Sequence, residues 1–515
     1  MNPAEQLLIC GDRQIDGVTL RLQADKVASA LLDSGLKAGD NLAVMLRNDL
    51  PYFELILATQ RLGLRLVAIN WHLRTDEAAY ILQDCGAKLL VIHADLLPSM
   101  REAIPSAVTV VAVPTPAEII RDYRLSDQTA VSSGDKPALD WATWRDQYDP
   151  CQEPEQPSLG NMLYTSGTTG RPKAVMRLNG SARQHGGATR VRQLVSQTRE
   201  GMRTAIVAPL YHAGPGGGAR VALAQASLIV VMARFDANRI LQVIEEHRIT
   251  HLSLVPIMFV RLLKLPVEVR EKADTSSLES VSHGGSPCSP EIKRAMIDWW
   301  GPVVGETYGS TECGLVTYCT ASEWLGRPGT VGRAIPGISI RILDDDGKVL
   351  PANQEGNIYV DAGDNALPFT YHNNEQQRRE IERDGYITSG DVGYLDDQGF
   401  LFLTDRKRDM VISGGVNIYP AEIEHALMTC PAVADCAVFG IPDPEFGEAL
   451  AVAVVPTAGA SLTAEVIRDW LSSRVAAFKI PKVVEHHDAL PREGMGKVFK
   501  NRLRDPHWVG HERRI

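Results

Sequence analysis

The chain is poor in cysteine for its length, with eight in 515 residues, and it has no Cys-x-x-Cys pair or Cys/His quartet at zinc spacing. That excludes a disulfide-stapled scaffold and the zinc-finger classes. Cys10, Cys85, Cys151, Cys288, Cys313, Cys319, Cys430 and Cys436 read as reduced thiols, several at core positions. A cationic excess is also missing: 53 Lys and Arg stand against 63 Asp and Glu, a net charge of −10. The electrostatic footprint of a protein that wraps duplex nucleic acid or lies on an anionic membrane is therefore absent, and no nucleic-acid partner is expected. An anionic small substrate stays compatible, because a few local cations would hold it. The longest apolar run, 226–233, falls far short of the roughly 20 residues that span a bilayer, so it reads as buried strand and no integral membrane span is expected. Residues 1–13 show no basic stretch leading into an apolar one, so no secretory signal is expected and the cytoplasm is the expected compartment.

What is present is an ordinary globular composition, 44% apolar and 23% charged, enough to fill more than one core. At roughly one domain per 150 residues, the length suggests about two to four domains. Strand-like and helix-like patterns alternate through the first quarter: strands at 41–45, 65–69 and 87–92, helices at 52–62 and 76–85. Such alternation predicts an α/β layer with parallel strands. Residues 126–160 turn polar and Pro-containing and read as surface connection. The α/β pattern resumes with strands at 204–208, 228–232 and 252–255 and a helix at 238–248, and after Gly329 short strands with Gly and Asp turns predict a small β-rich subdomain. The expected division is a large N-terminal part of layered α/β subdomains, 1–404, and a smaller α+β C-terminal domain, 405–515.

The strongest local pattern is YTSGTTGRPK at 164–173, which follows a predicted strand. Gly167 and Gly170 let backbone N–H groups turn toward one point, a nest suited to phosphate oxygens. Thr165, Ser166, Thr168 and Thr169 add hydroxyl donors and Lys173 adds a positive charge. The spacing GxxGxxK differs from the GxxxxGK[ST] loop of P-loop NTPases. GPGGGA at 214–219 formally fits a dinucleotide fingerprint, but Pro215 sits inside it and its context is the loop PLYHAG, so NAD is not expected. No GxSxG elbow is present, which removes His212 and His283 as serine-hydrolase candidates.

At YTSGTTGRPK the sequence resembles the adenylate-forming superfamily: acyl-CoA synthetases, peptide-synthetase adenylation domains and firefly luciferase. The likeness recurs in family order at SHGGSP (282–287), GETYGSTECG (305–314), TSGDVGY (388–394), DRKRDMVISGGVNIYPAEIE (405–424) and PREGMGKVFKNRLR (491–504), covering nearly the whole chain. It implies an AMP-forming acyl-CoA ligase that uses ATP, Mg²⁺ and CoA, with a mobile C-terminal domain. Negative charge gathers on phosphoryl oxygens and departing pyrophosphate as the acyl-adenylate forms, and a placed cation and metal stabilise it. The resemblance implies Lys497 as that cation, Glu312 as a Mg²⁺ ligand with Thr168 approaching the same metal, and Thr311 on the α-phosphate. It stacks adenine on Tyr308 against Gly284, Gly285, Ser286 and Pro287, with Glu306, Thr307 and Gly309 in the same nucleotide-binding motif. Asp391 takes the ribose hydroxyls and Arg406 reinforces the ribose and phosphate contact. Gly414 and Gly415 line the pantetheine tunnel, and His212, Gly216, Gly217 and Gly218 flank the acyl pocket. At the hinge the family usually has Asp or Lys; here it is Arg408, a long cation still able to make alternate contacts.

The stretch 211–218 holds no carboxylate for a substrate ammonium, so a free amino acid is not expected as substrate. The combination of NWHLR (70–74), PLYHAGP (209–215) and RFDANRILQVIEEHRIT (234–250) resembles bacterial synthetases for fatty or bulky cyclic acids, which implies an apolar medium- or long-chain or polycyclic acid. Two alternatives remain: a stand-alone adenylating enzyme that loads a carrier protein's phosphopantetheine, and a non-catalytic nucleotide-binding protein. The retention of Lys173, Glu312 and Lys497 argues against the latter. The resemblance leaves a homodimer open as the assembly.

Overall fold

The structure, a computed structural model, describes residues 1–125, 138–165, 172–406, 409–413, 416–492 and 497–510. The chain divides into two compact units, one of Met1–Leu254, Lys264–His283 and Gly363–Glu380, the other of Val255–Leu263, Gly284–Ala362 and Ile381–Ile515.

The first unit is layered α/β. Its eight-stranded sheet runs in the order Phe369–Tyr371, Lys173–Arg177, Asn161–Thr165, Arg65–Ala68, Asn41–Met45, Leu89–His93, Thr109–Val113 and Leu139–Asp140. The pairs from Asn161–Thr165 onward are parallel, and the two at the other edge are antiparallel. A second parallel set orders Ser280–His283, His251–Leu254, Met202–Ile206, Ala226–Val231 and Leu7–Cys10, closed by an antiparallel hairpin to Arg13–Asp16. Parallel strands are covered on both faces, and Leu89–His93 is buried at every position. Local chemistry sets the helices between them. Leu50–Leu62 starts where Asp49 caps Leu50 N–H with Pro51 in the first turn, and stops at Gly63, whose φ of 63° few other residues adopt. The strands and helices expected through residue 255 all form, each within two residues at either end.

One expectation fails. Part of 126–160 is core rather than surface connection: Asp140 caps the helix Trp141–Asp146, and Trp141 and Trp144 bury themselves in the main cluster beside Tyr52 and Phe53. The polar composition masked this because two large aromatics three positions apart supply the burial, while most residues around them stay exposed. Residues 126–137 lie outside the described residues.

The second unit contains the expected β-rich layer, antiparallel throughout, in the order Ser339–Leu343, Gly356–Asp361, Tyr386–Leu395, Phe400–Arg406, Thr330–Ala334, Gly314–Cys319 and Val304–Ser310. The same unit holds a separate sheet of Val416–Ile418, Val411–Ser413, Gly447–Pro456 and Val433–Asp443, with Val483–His486 parallel to Gly447–Pro456. Helices Pro420–Met428 and Ala464–Ser472 pack Ile423, Leu427, Ile467 and Leu471 onto it. Among the described residues no helix is long and apolar enough to cross a membrane.

Candidate active site

In the second unit, the pairing of Val304–Ser310 with Gly314–Cys319 slips register between Tyr308 and Gly309. A bulge of this kind re-aims the side chains beside it. Gly309 belongs there because any Cβ would collide with the Gly314 carbonyl. Tyr308 donates its hydroxyl to Asp391 Oδ2 at 2.7 Å, and Ser389 Oγ donates to the same atom at 2.8 Å. Tyr308 and Asp391 are both buried. Burial, then the Asp391 charge, pushes the Tyr308 phenol well above its usual value, so it stays a donor. In the adjoining strand Arg406 stands opposite Asp391 in the register. Tyr308 and Asp391, drawn from two separate motifs, thus meet.

The loop before this strand packs tightly against it. A Cβ on Gly284 would lie 2.5 Å from the Thr307 carbonyl oxygen, and Gly285 has φ +82°. Both positions therefore require glycine, which draws the backbone of 284–287 close to Thr307. Thr311 and Glu312 are half-buried in the turn after the strand, which Cys313 N–H braces by donating to Ser310 Oγ at 2.9 Å. Mg²⁺ takes one or two carboxylates and completes its shell with phosphate oxygens and water, so a single glutamate in such a turn is chemically suited to it. Among the described residues no group of three His, Cys, Asp or Glu could hold a metal by itself. Lys497 is half-buried just before Val498, which bridges to Arg492; Arg492 Nε is held by Asp435 Oδ2 at 2.7 Å.

Glu306 has a different setting from its motif neighbours. Its Oε2 accepts from Lys293 Nζ at 2.5 Å, and Lys293 is fully buried with its ammonium 5.0 Å from the Trp324 ring centroid. Burial raises the Glu306 pKa and Lys293 opposes that rise. This carboxylate is engaged by the core.

In the first unit, Thr165 ends the strand Asn161–Thr165 and pairs in register with Lys173, which opens Lys173–Arg177. The Lys173 ammonium lies 5.8 Å from the Tyr371 ring centroid. Ser166, Gly167, Thr168, Thr169 and Gly170 lie outside the described residues, as do Arg408, Gly414 and Gly415. The PLYHAG segment is loop through Tyr211 and then turns helical: His212 is the N-cap of Ala213–Gln225, with its ring 4.4 Å from that of Tyr211. Proline at the third helical position and small residues throughout permit this turn despite four glycines. Gly216 has a packing role, since a Cβ there would lie 2.8 Å from the Leu210 carbonyl oxygen; Gly217 and Gly218 face open space. An open cavity of about 70 Å³ lies beside Gly218, Pro215 and Val221 and is lined also by Thr204–Ile206, Ser196, Thr198, His251 and Ser282. Ser389 lies within the TSGDVGY motif, which assigns it no role, and no motif singles out Thr198 or His251. By pattern they are ordinary strand and loop residues, and only a three-dimensional neighbour sets them apart.

The AMP-binding enzyme family model matches residues 2–367, and the model of the AMP-binding enzyme C-terminal domain matches 422–497. An indoleacetate–CoA ligase of Aromatoleum aromaticum is 32% identical over 98% of this chain and 95% of its own length. A CoA ligase of Rhodococcus jostii for a methyl-dioxo-octahydroindenyl propanoate is 32% identical over 96% of this chain and 94% of its own. Among solved structures, ATP-bound MatB from Rhodopseudomonas palustris superposes with TM-score 0.78 at 28% identity, covering 99% of this chain and 98% of that one. The o-succinylbenzoate CoA synthetase MenE of Bacillus subtilis, with ATP and magnesium, gives 0.79 at 26% identity, covering 98% and 97%. The chain belongs to the AMP-binding, adenylate-forming enzymes. Within them it stands in the acyl-CoA synthetase family, an acid–thiol ligase that works through an acyl-adenylate.

Proposed function

We propose that the enzyme activates a cyclic or aromatic carboxylic acid with ATP and passes the acyl group to CoA. The observation that carries the nucleotide half is the hydrogen bond from Tyr308 to Asp391, with Arg406 in register beside them. An aromatic ring hydrogen-bonded to a carboxylate supports a site that stacks adenine on Tyr308 and holds the ribose hydroxyls on Asp391. Thr165, Lys173 and the hydroxyls of the 166–170 segment would bind the phosphates, with Thr311 on the α-phosphate. Glu312, with Thr168, would hold Mg²⁺, whose charge offsets that of the phosphate oxygens. The acid's carboxylate oxygen bonds to the α-phosphorus and pyrophosphate leaves. Lys497 stabilises the negative charge that develops, as a fixed cation does in a water-poor site. The CoA sulfur then bonds to the acyl carbon, the bond to the phosphate oxygen breaks, and AMP departs.

For the acid, the indoleacetate and indenyl-propanoate relatives support a ring-bearing choice.

The test is mass spectrometry of the protein with ATP, Mg²⁺, CoA and a mixed pool of aromatic, cyclic and fatty acids. An acyl-CoA carrying a ring is the expected product. Preferential use of long-chain acids would reject the ring-bearing reading, and acyl-AMP without thioester would move the second half to a carrier-protein thiol.

A further inference from the structure

Parallel strands covered on both faces bury nearly every residue, as Leu89–His93 does in the first sheet. His251–Leu254, in the second parallel set of the same unit, does not. Leu252 and Leu254 are buried, while Ser253 between them is exposed. An exposed residue inside such a strand marks a gap in the cover. Ser253 pairs in register with Ser282 of Ser280–His283, so the two side chains lie next to each other on one face. Both line the open cavity beside Gly218.

The hydroxyls of this wall are short of partners. Ser253 makes no side-chain hydrogen bond among the described residues. Ser282 Oγ reaches only the Leu252 carbonyl, at 3.5 Å, beyond the roughly 2.5–3.0 Å usual for a hydroxyl donor. Thr198 Oγ1, also in the wall, is buried with no hydrogen-bond partner. Thr204 and His251, by contrast, are engaged within the fold. Thr204 Oγ1 donates to the His251 carbonyl at 2.9 Å, and the His251 ring nitrogens meet the Gln197 carbonyl at 3.0 Å and Thr250 Oγ1 at 2.8 Å. Among the described residues no Asp, Glu, Lys or Arg lines the cavity. Free hydroxyls without a charge suit a neutral polar group, because an ionised one would lose its water and gain no counter-charge.

The place in the fold is that of a ligand site. In open α/β sheets ligands sit beyond the carboxyl ends of the strands. Ser253 and Ser282 are each the last residue but one of their strands, and Val207 and Ala208, just past the end of Met202–Ile206, line the same cavity. Ser282 also opens SHGGSP, the motif that leads into Gly284 and Gly285. On the helix side, a Cβ on Gly218 would meet nothing within 4 Å, so the space is open there. We infer that Ser253 and Ser282, with Thr198, form a subsite for an uncharged oxygen substituent, a hydroxyl or ring ketone, on the body of the carboxylic acid substrate. A serine hydroxyl donates to either and accepts from the former. The inference rests on the acyl-CoA ligase reading with a ring-bearing acid, and adds that oxygenated rings are taken over plain ones.

The experiment measures kcat/KM for thioester formation by the full-length enzyme on acids that share a ring and chain length. The pairs are phenylacetic against para-hydroxyphenylacetic, phenylpropanoic against para-hydroxyphenylpropanoic, and cyclohexanecarboxylic against its ring ketone. The wild type is expected to favour the oxygenated acid of at least one pair by roughly 10-fold or more, the scale of one or two neutral hydrogen bonds. Ser253→Ala and Ser282→Ala should each bring the oxygenated acid down toward its parent, Ser253→Thr should keep part of the preference, and the KM for ATP should not move. Should Ser282→Ala fail to fold, Ser253→Ala carries the test, since its side chain is exposed. Equal or better use of the plain acid in every pair overturns the subsite while leaving the ligase reading intact. A preference for the oxygenated acid that both alanine variants retain also overturns it, because the oxygen is then recognised elsewhere. Silence with every acid would reject the ligase reading and the subsite together.

Discussion

Lys293 is fully buried and Arg220 half-buried, and the two charges are accommodated differently. Lys293 meets Glu306 at 2.5 Å and a tryptophan face, so its charge is answered within the fold. Arg220 keeps part of its surface in water and donates to the side-chain oxygen of Asn161. An internal ion pair is what stability requires of a fully buried charge, whereas a charge that still reaches water needs no carboxylate to answer it. The contrast shows why motif membership alone does not identify a site: Glu306 sits inside a nucleotide-binding motif, yet its carboxylate is held by Lys293.

The largest test of this contrast is Lys293→Ala. It strands the Glu306 carboxylate and should cost about 3–5 kcal/mol of unfolding free energy in denaturant titrations. The double change Lys293→Met with Glu306→Leu should recover most of that loss, and failure to recover would make the pair more than structural. Lys497→Ala should slow adenylation by roughly 100- to 1,000-fold while sparing thioester formation from supplied acyl-AMP. Equal loss in both half-reactions would remove its assignment as the adenylation cation. Tyr308→Phe keeps an aromatic face but withdraws the hydrogen bond to Asp391, so the KM for ATP should rise roughly tenfold. An unchanged KM would separate that bond from nucleotide binding.

Glu54 supplies the intermediate case. Burial raises its pKa from 4.5 to about 7, and Arg145, 3.1 Å away, only partly offsets this. The folded state therefore keeps the proton that the unfolded chain releases first, so stability should fall as pH rises from about 4.5 to 7. Glu54→Gln should flatten that slope, an effect of order 1 kcal/mol read from melts across the same pH range.

The α/β layering was legible because apolar periodicity and capping residues act locally, as at Asp49 and Gly63 around Leu50–Leu62. The motif residues were legible because family chemistry keeps residue type and order. Trp141 and Trp144 were missed because a polar stretch can still bury two large rings. The helix at Ala213–Gln225 was missed because glycine and proline disfavour helix on propensity alone, and tertiary packing against Leu210 overrides that.

By itself the sequence determined the class of chemistry: which hydroxyls, carboxylates and lysines are present, and in what order. Tertiary structure decided which of them meet. Tyr308 and Asp391 are 83 positions apart, and a bulge together with an antiparallel register brings hydroxyl to carboxylate. It also decided which buried charges are answered, because neutralisation depends on distance through the fold and not on distance along the chain.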